Sequence, residues 1–346
     1  MSKKDSSVLK LKNVFSNKKI LPIYSNFKSQ LNSSIKNSRF LVAVSGGPDS
    51  LALSALSKTY SEEKKSKVFF VLIDHGIRAN SKKEALAVKN LLKKKGLLLT
   101  ILKNKKKISK NIQSHARKIR YELLLTYCQK HKIKFIMTGH HRDDQIETFL
   151  IRLSRGSGIQ GLSSMNKMTK LNNKTKLFRP LLSANKKDLV FLAKKYYGKI
   201  FKDPSNINQK YLRTNIRSLI KQFEKNGIKR DQIINSINNL AATRDTLNSY
   251  ITSVEKKCVT KKKNAFLITL NIFLLENRDI QLKILSNSLK IISKNYYPPR
   301  AKKILNLMSR IKLEKEIKAT LGGCIINKRQ NNLIISKEQL KKSLKL

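Results

Sequence analysis

Arg39-Phe40-Leu41-Val42-Ala43-Val44-Ser45-Gly46-Gly47-Pro48-Asp49-Ser50 is the stretch from which the rest of the chain is read. Phe40 to Val44 is an unbroken apolar run, the pattern of a strand buried on both faces of a parallel sheet. It stops at a glycine turn, and Leu51, Leu53, Ala55 and Leu56 begin a helical pattern at once. A strand that ends in such a turn and feeds a helix N-terminus makes an anion site. Backbone N–H groups converge there, and the helix dipole adds positive potential. The turn holds no Lys, so it is not the lysine-bearing loop that carries a nucleotide's terminal phosphates. It offers Gly46 and Gly47 for close backbone approach, hydroxyls at Ser45 and Ser50, Pro48 at the helix start and a carboxylate at Asp49. That set suits a pyrophosphate gripped by N–H and O–H donors, with Asp49 free to hold Mg²⁺. The plain alternative is a tight strand-to-helix turn capped by Asp49 or Ser50.

Outward from this stretch the pattern repeats. Val68 to Ile73, Leu97 to Leu102 and Lys134 to Met137 read as further strands. Ser81 to Gly96, Asn111 to His131 and Asp143 to Arg155 carry apolar residues at helical spacing; in the second the stripe is Ile112, Ala116, Ile119, Leu123 and Tyr127. Four strands alternating with four helices predict an α/β fold on a doubly wound parallel sheet, with its ligand beyond the carboxyl ends of the strands. Residues 1–25 read as a basic arm, 26–220 as the nucleotide-binding domain and 221–346 as a mainly helical region, with a boundary near Lys221. Gly156 to Lys176 reads as a mobile loop. Residues 265–313 read as helices, and Ala319 to Asn327 with Leu333 to Ser336 as a small C-terminal strand pair.

The chain has 346 residues, 75 Lys and Arg against 21 Asp and Glu, and a formal net charge of +54. Such a field points to a polyanion, nucleic acid before a membrane surface, although abundant Lys, Asn and Ile also fit compositional drift on a solvated surface. Cys128, Cys258 and Cys324 are odd in number and far apart. That argues against a zinc knuckle or a disulfide framework and predicts buried thiols in a reducing compartment. No apolar run approaches bilayer length, and the residues through Lys19 lack a signal's apolar core, so the expectation is a cytoplasmic protein with no membrane partner. A homodimer is left open.

Unusual polar residues gather where the strands end. After the fourth strand, Gly139-His140-His141-Arg142-Asp143-Asp144-Gln145-Ile146-Glu147-Thr148 puts Asp143, Asp144 and Glu147 on one helix surface. Acids in a first turn complement the helix dipole. Beside a phosphate loop they can also hold Mg²⁺ or an ammonium group, or accept a proton. Asp74-His75-Gly76-Ile77-Arg78 ends the second strand, where His75 either stacks on a base or caps a loop. Ala116-Arg117-Lys118-Ile119-Arg120-Tyr121, alone, reads as a solvated basic face. Arg179-Pro180-Leu181-Leu182, Asp203-Pro204-Ser205-Asn206 and Leu212-Arg213-Thr214-Asn215-Ile216-Arg217 follow.

Ser45 to Ser50 resembles the signature of the PP-loop ATP pyrophosphatases, which split ATP into AMP and pyrophosphate while activating a substrate. The seven motifs together, taken in their order along the chain between Phe40 and Arg217, resemble the tRNA(Ile)-lysidine synthases. The resemblance implies an ATP-dependent ligase. It would adenylate C2 of the wobble cytidine in tRNA(Ile) with a CAU anticodon, and free L-lysine would then displace AMP to give lysidine. It implies ATP on Ser45, Gly46, Gly47, Pro48, Asp49 and Ser50, and Mg²⁺ on Asp49 and Asp144. It implies catalysis by Asp49, Arg120, Asp144 and Glu147. In that scheme Asp144 and Glu147 serve the metal, orient lysine or take its proton, and Arg120 stabilises charge in the adenylated intermediate. RNA or substrate contacts fall to His75, Arg78, Arg117, His140, His141 and Arg213, and tRNA binding to 221–346. The alternative is another PP-loop tRNA-modifying enzyme of the thiolase type, but a cysteine-dependent thiolase should pair cysteines near the loop and none occur there. Intact acids at Asp49, Asp144 and Glu147 argue against a non-catalytic RNA-binding protein.

Overall fold

A computed structural model describes residues 14–36, 38–77, 79–104, 112–201, 212–262, 264–295 and 298–338. The chain divides into two compact units, residues 1–241 and 242–346. Unit 1 runs α1 (Leu21–Ser34), β1 (Phe40–Val44), α2 (Pro48–Lys64), β2 (Val68–Asp74), α3 (Ser81–Lys93), β3 (Leu99–Lys103), α4 (Ile112–Lys130), β4 (Phe135–Met137), α5 (Arg142–Leu153), α6 (Ile159–Leu162), β5 (Met168–Lys170), β6 (Lys176–Phe178), α7 (Lys186–Tyr197) and α8 (Leu212–Lys225). The division falls inside α9 (Arg230–Cys258).

Alternation along β1 supplies both faces of the sheet. Phe40, Val42 and Val44 enter one buried cluster and Leu41 another on the opposite face. β1 pairs in parallel with β2 on one side and β4 on the other. β3 extends β2, β6 extends β4, and β5 closes the edge antiparallel to β6, giving the order β3-β2-β1-β4-β6-β5. The chain therefore steps outward from β1 to β3 and crosses back to β4. The reversal leaves a crevice between the carboxyl ends of β1 and β4, where sheets of this kind bind ligands. The first face is covered by residues of α1, α2, α3 and α7, and the second by Leu124 and Cys128 of α4.

The doubly wound sheet stands as expected, and the details move. In α4 the deepest side chains are Leu124 and Cys128, while Ile112 is exposed. The stripe precesses because 3.6 residues per turn is not a whole number, so Ala116 and Ile119 are buried in the first half and the next positions round in the second. The loop expected over 156–176 holds α6 and β5 instead. Arg152 Nη1 donates to the carbonyls of Gly161 and Ser164 at 2.6 and 3.0 Å, and Gln145 Nε2 to that of Met165 at 3.1 Å, so side chains from α5 satisfy its backbone. Of the expected basic arm, the described part is packed: Phe15, Ile20 and Tyr24 are buried. The boundary expected near Lys221 falls within α8, whose Ile216 and Ile220 share a core with Ile146 and Leu150 of α5.

Unit 2 continues with β7 (Val259–Lys261), β8 (Ala265–Thr269), α10 (Leu270–Leu274), α11 (Arg278–Ser293), α12 (Ala301–Leu313), β9 (Ile317–Leu321), β10 (Cys324–Arg329) and β11 (Asn332–Lys337). The expected strand pair is present as the β10–β11 hairpin, within an antiparallel sheet ordered β7-β8-β11-β10-β9. Ala319 to Asn327 is not one strand, because Gly322 and Gly323 turn the chain with φ of 63° and 81° between β9 and β10. Residues 265–269, expected to be helical, form β8; five apolar-rich residues are too few for periodicity to separate strand from helix. Among the described residues no helix is long and apolar enough to cross a membrane.

Candidate active site

The phosphate-type loop is braced from within. Ser50 Oγ accepts from Ser45 N–H at 3.1 Å and donates to the Gly47 carbonyl at 3.0 Å, and Ser45 Oγ lies 3.1 Å from it. The Ser50 hydroxyl thus closes the loop. Gly46 adopts φ +86°, and a β-carbon there would sit 2.6 Å from Val88 Cγ2, so the turn needs glycine for both conformation and space. Gly47 is the N-cap of α2, with Pro48 in its first turn and Asp49 beside it. This sets the carboxylate at a helix N-terminus.

The end of β4 lies directly against this loop. A β-carbon on Gly139 would be 2.8 Å from the Asp49 carbonyl oxygen and 3.1 Å from Ser50 N. Two residues on, His141 caps α5. Its Nδ1 accepts from Asp143 N–H at 3.2 Å, and its own N–H donates to Asp144 Oδ2 at 3.0 Å, a reciprocal cap that satisfies two orphan donors. His141 Nε2 is 3.6 Å from both Asp49 Oδ1 and Asp144 Oδ2. Burial pushes the His141 pKa down, but the Asp49, Asp144 and Asp143 carboxylates outweigh it and the net shift is upward. Asp49 and Asp144, one from each strand end, therefore meet across one imidazole. His141 is almost fully buried.

The other acids are already paired. Glu147, also buried, receives Arg217 Nε at 2.5 Å and Nη2 at 3.4 Å. Asp143 pairs with Arg230 at 3.0 Å, and Arg142 with Asp231. Sequence reasoning quoted Arg217 without assigning it a role and missed Arg230. The available signal for Arg217 was its position one helical turn after Arg213, beside the apolar Ile216 and Ile220 of an amphipathic helix.

The remaining predicted residues converge electrostatically. His140 Nδ1 is 2.8 Å from Thr138 Oγ1. Burial, then Arg179, Arg117 and Arg213, push its pKa down to about 3, so it is neutral at ordinary pH. His75 is lowered by burial and then by Arg120, against the pull of Asp74. Both its ring nitrogens are buried without a hydrogen bond. Arg117, Arg120 and Arg213 are exposed. The first half of α4 thus brings its arginines to the ends of β2 and β4. Arg78 and the 203–206 turn lie outside the described residues.

A profile described as a PP-loop domain matches residues 18–223, the whole of the parallel sheet. Curated tRNA(Ile)-lysidine synthases from Wolbachia pipientis wMel and Orientia tsutsugamushi (strain Boryong) are each 35% identical, over 319 and 312 residues, covering 90% and 88% of this chain and 74% and 70% of their own length. The chain belongs to the tRNA(Ile)-lysidine synthase family. Like other lysidine synthases with this domain, it is an ATP-using ligase. Among solved structures, the U34-tRNA thiolase NcsA from Methanococcus maripaludis with its iron–sulfur cluster matches with a TM-score of 0.55 at 20% identity, over 65% of this chain and 80% of that one. That likeness is one of fold. In this lysidine synthase chain the three cysteines are free and buried, Cys128 in one apolar cluster and Cys258 and Cys324 in another, and burial pushes Cys128 up to about 12 and Cys258 to about 11, the behaviour of inert thiols.

Among the described residues no three His, Cys, Asp or Glu side chains form a metal cage. Mg²⁺ does not need one, since it keeps waters and substrate phosphates and takes one or two carboxylates. Asp49 Oδ1 fits that demand, being buried without a hydrogen bond.

Proposed function

We propose that the chain joins free L-lysine to C2 of the wobble cytidine of tRNA(Ile) bearing a CAU anticodon, through an adenylated cytidine, releasing AMP and pyrophosphate. The observation that carries this reading is the seating of Gly139 against Asp49 and Ser50, which sets the nucleotide loop and the carboxylate helix at one crevice. The relatives' names supply the substrates.

ATP would lie with its phosphates on the backbone of Gly46 and Gly47 and on the N-terminus of α2. Asp49, with Asp144 beside it, would hold Mg²⁺, which supplies charge neutralisation for the departing pyrophosphate. In the first step the cytidine O2 bonds to the α-phosphorus and pyrophosphate leaves. In the second the lysine ε-amine bonds to C2 and AMP leaves with that oxygen, while the amine's proton passes to a carboxylate. Glu147 is committed to Arg217. Asp144 spends one oxygen on the His141 N–H and keeps capacity for the ammonium group or the proton. Arg120, beside His75, would stabilise charge in the adenylated intermediate. Neutral His140, with Arg117 and Arg213, would contact the unstacked anticodon base and its phosphates. The region from 221 onward would add contacts to the tRNA backbone.

Purified protein given ATP, radiolabelled lysine and a CAU tRNA(Ile) transcript is expected to transfer label to the RNA, with AMP and pyrophosphate formed in step. No transfer under conditions where a Wolbachia relative labels the same transcript would overturn this reading.

A further inference from the structure

His141 is 2% exposed and every contact of its ring is internal. The Asp143 N–H occupies the Nδ1 lone pair, so in the neutral ring the proton sits on Nε2. That one N–H faces two carboxylate oxygens at the same 3.6 Å, Asp49 Oδ1 on α2 and Asp144 Oδ2 on α5. That is the distance of an ion pair, beyond a formed hydrogen bond, and it is the same to both carboxylates. Asp144 Oδ2 is separately anchored by the His141 main chain at 3.0 Å. Asp49 Oδ1 has no hydrogen bond among the described residues. The backbone contact at Gly139 sets the spacing of the two loops and involves only the main chain of Asp49. From its carboxylate, the imidazole at the start of α5 stands 3.6 Å away.

We propose that His141 is a positioning residue, whose Nε2–H holds Asp49 and Asp144 at one separation and so aligns the carboxylate serving the nucleotide with the carboxylate serving the lysine amine. This rests on the ligase reading above. The competing role is simply to cap α5. The two roles use opposite sides of the ring, and amide side chains separate them. Asn reproduces the Nδ1 acceptor and is a strong N-cap, but is too short to reach Asp49. Gln carries its N–H near the Nε2 position but caps poorly.

The test follows Mn²⁺ binding in the presence of ATP by electron paramagnetic resonance, with thermal melting alongside. His141→Asn is expected to melt near wild type yet to bind Mn²⁺ with ATP about tenfold more weakly, the usual scale for a lost outer-shell partner. His141→Gln is expected to melt lower yet keep more of the affinity. The reverse order of affinities, or wild-type affinity in both variants, would overturn the proposal. Should both variants fail to fold, Asp144→Asn serves: it is expected to weaken Mn²⁺ binding with ATP by a similar factor, and no change would count against coupling of the two carboxylates. Mn²⁺ binding needs neither lysine nor tRNA. Failure of label transfer to RNA with the Asn-below-Gln order intact would therefore reject the ligase reading, and with it the role toward lysine, while the coupling of the two carboxylates through His141 would stand.

Discussion

Gly139 has no room for a methyl group, and what stands in the way is main chain. The Asp49 carbonyl carbon would be 2.9 Å from a β-carbon there, closer than two such atoms can stay. A flexible side-chain tip could swing aside; a peptide at the first turn of α2 can move only by shifting the loop. Gly139→Ala is therefore expected to cost about 1–3 kcal/mol of stability, the range for forced overpacking, and to weaken ATP binding. Urea denaturation and nucleotide titration check both. A variant as stable and as tight as wild type would mean that the loop and the β4 end are not in rigid contact.

At the scale of elements, α5 and α8 are joined twice. Ile146 and Leu150 meet Ile216 and Ile220 in a small apolar cluster. Beside it the Arg217 guanidinium reaches Glu147 at 2.5 Å. The apolar contact gives affinity without direction, whereas the two-pronged ion pair specifies orientation. Glu147 is buried while Arg217 keeps part of its surface in water. Arg217→Ala would strand a buried carboxylate at a cost of about 3 kcal/mol, reduced by the water that reaches this edge. Arg217→Lys is expected to recover only part, since an ammonium lacks the planar fork. Chemical denaturation of the two variants and of Glu147→Gln measures the pair. Equal stability of Arg217→Ala and wild type would show the pair to be incidental.

Over the whole molecule the dominant quantity is charge, +54 on 346 residues. If that surplus meets tRNA phosphates, binding should weaken steeply with salt. The slope of log affinity against log salt is expected to be about −0.7 to −0.9 for each phosphate neutralised. Filter retention of tRNA(Ile) over a series of salt concentrations gives the number directly. A steep slope assigns much of the charge to the RNA, and a shallow one assigns it to compositional drift on a solvated surface.

What the sequence by itself determined is what neighbours in the chain determine. The apolar run Phe40 to Val44, the turn at Gly46 and Gly47, the helix start at Pro48 and the acids after Gly139 depend on period, turn chemistry and capping within a few residues. From them the parallel sheet and the place of its ligand were legible. The tertiary structure decided which charge meets which. Glu147 belongs to Arg217, Asp143 to Arg230, and His141 stands between Asp49 and Asp144 instead of facing solvent. It also decided that Leu124 and Cys128 go inward in α4, and that β8 joins a sheet of five strands. A carboxylate looks the same in the sequence whether it is free or spoken for. Its partner is chosen only when folding brings distant elements together and removes the water that would otherwise solvate both charges.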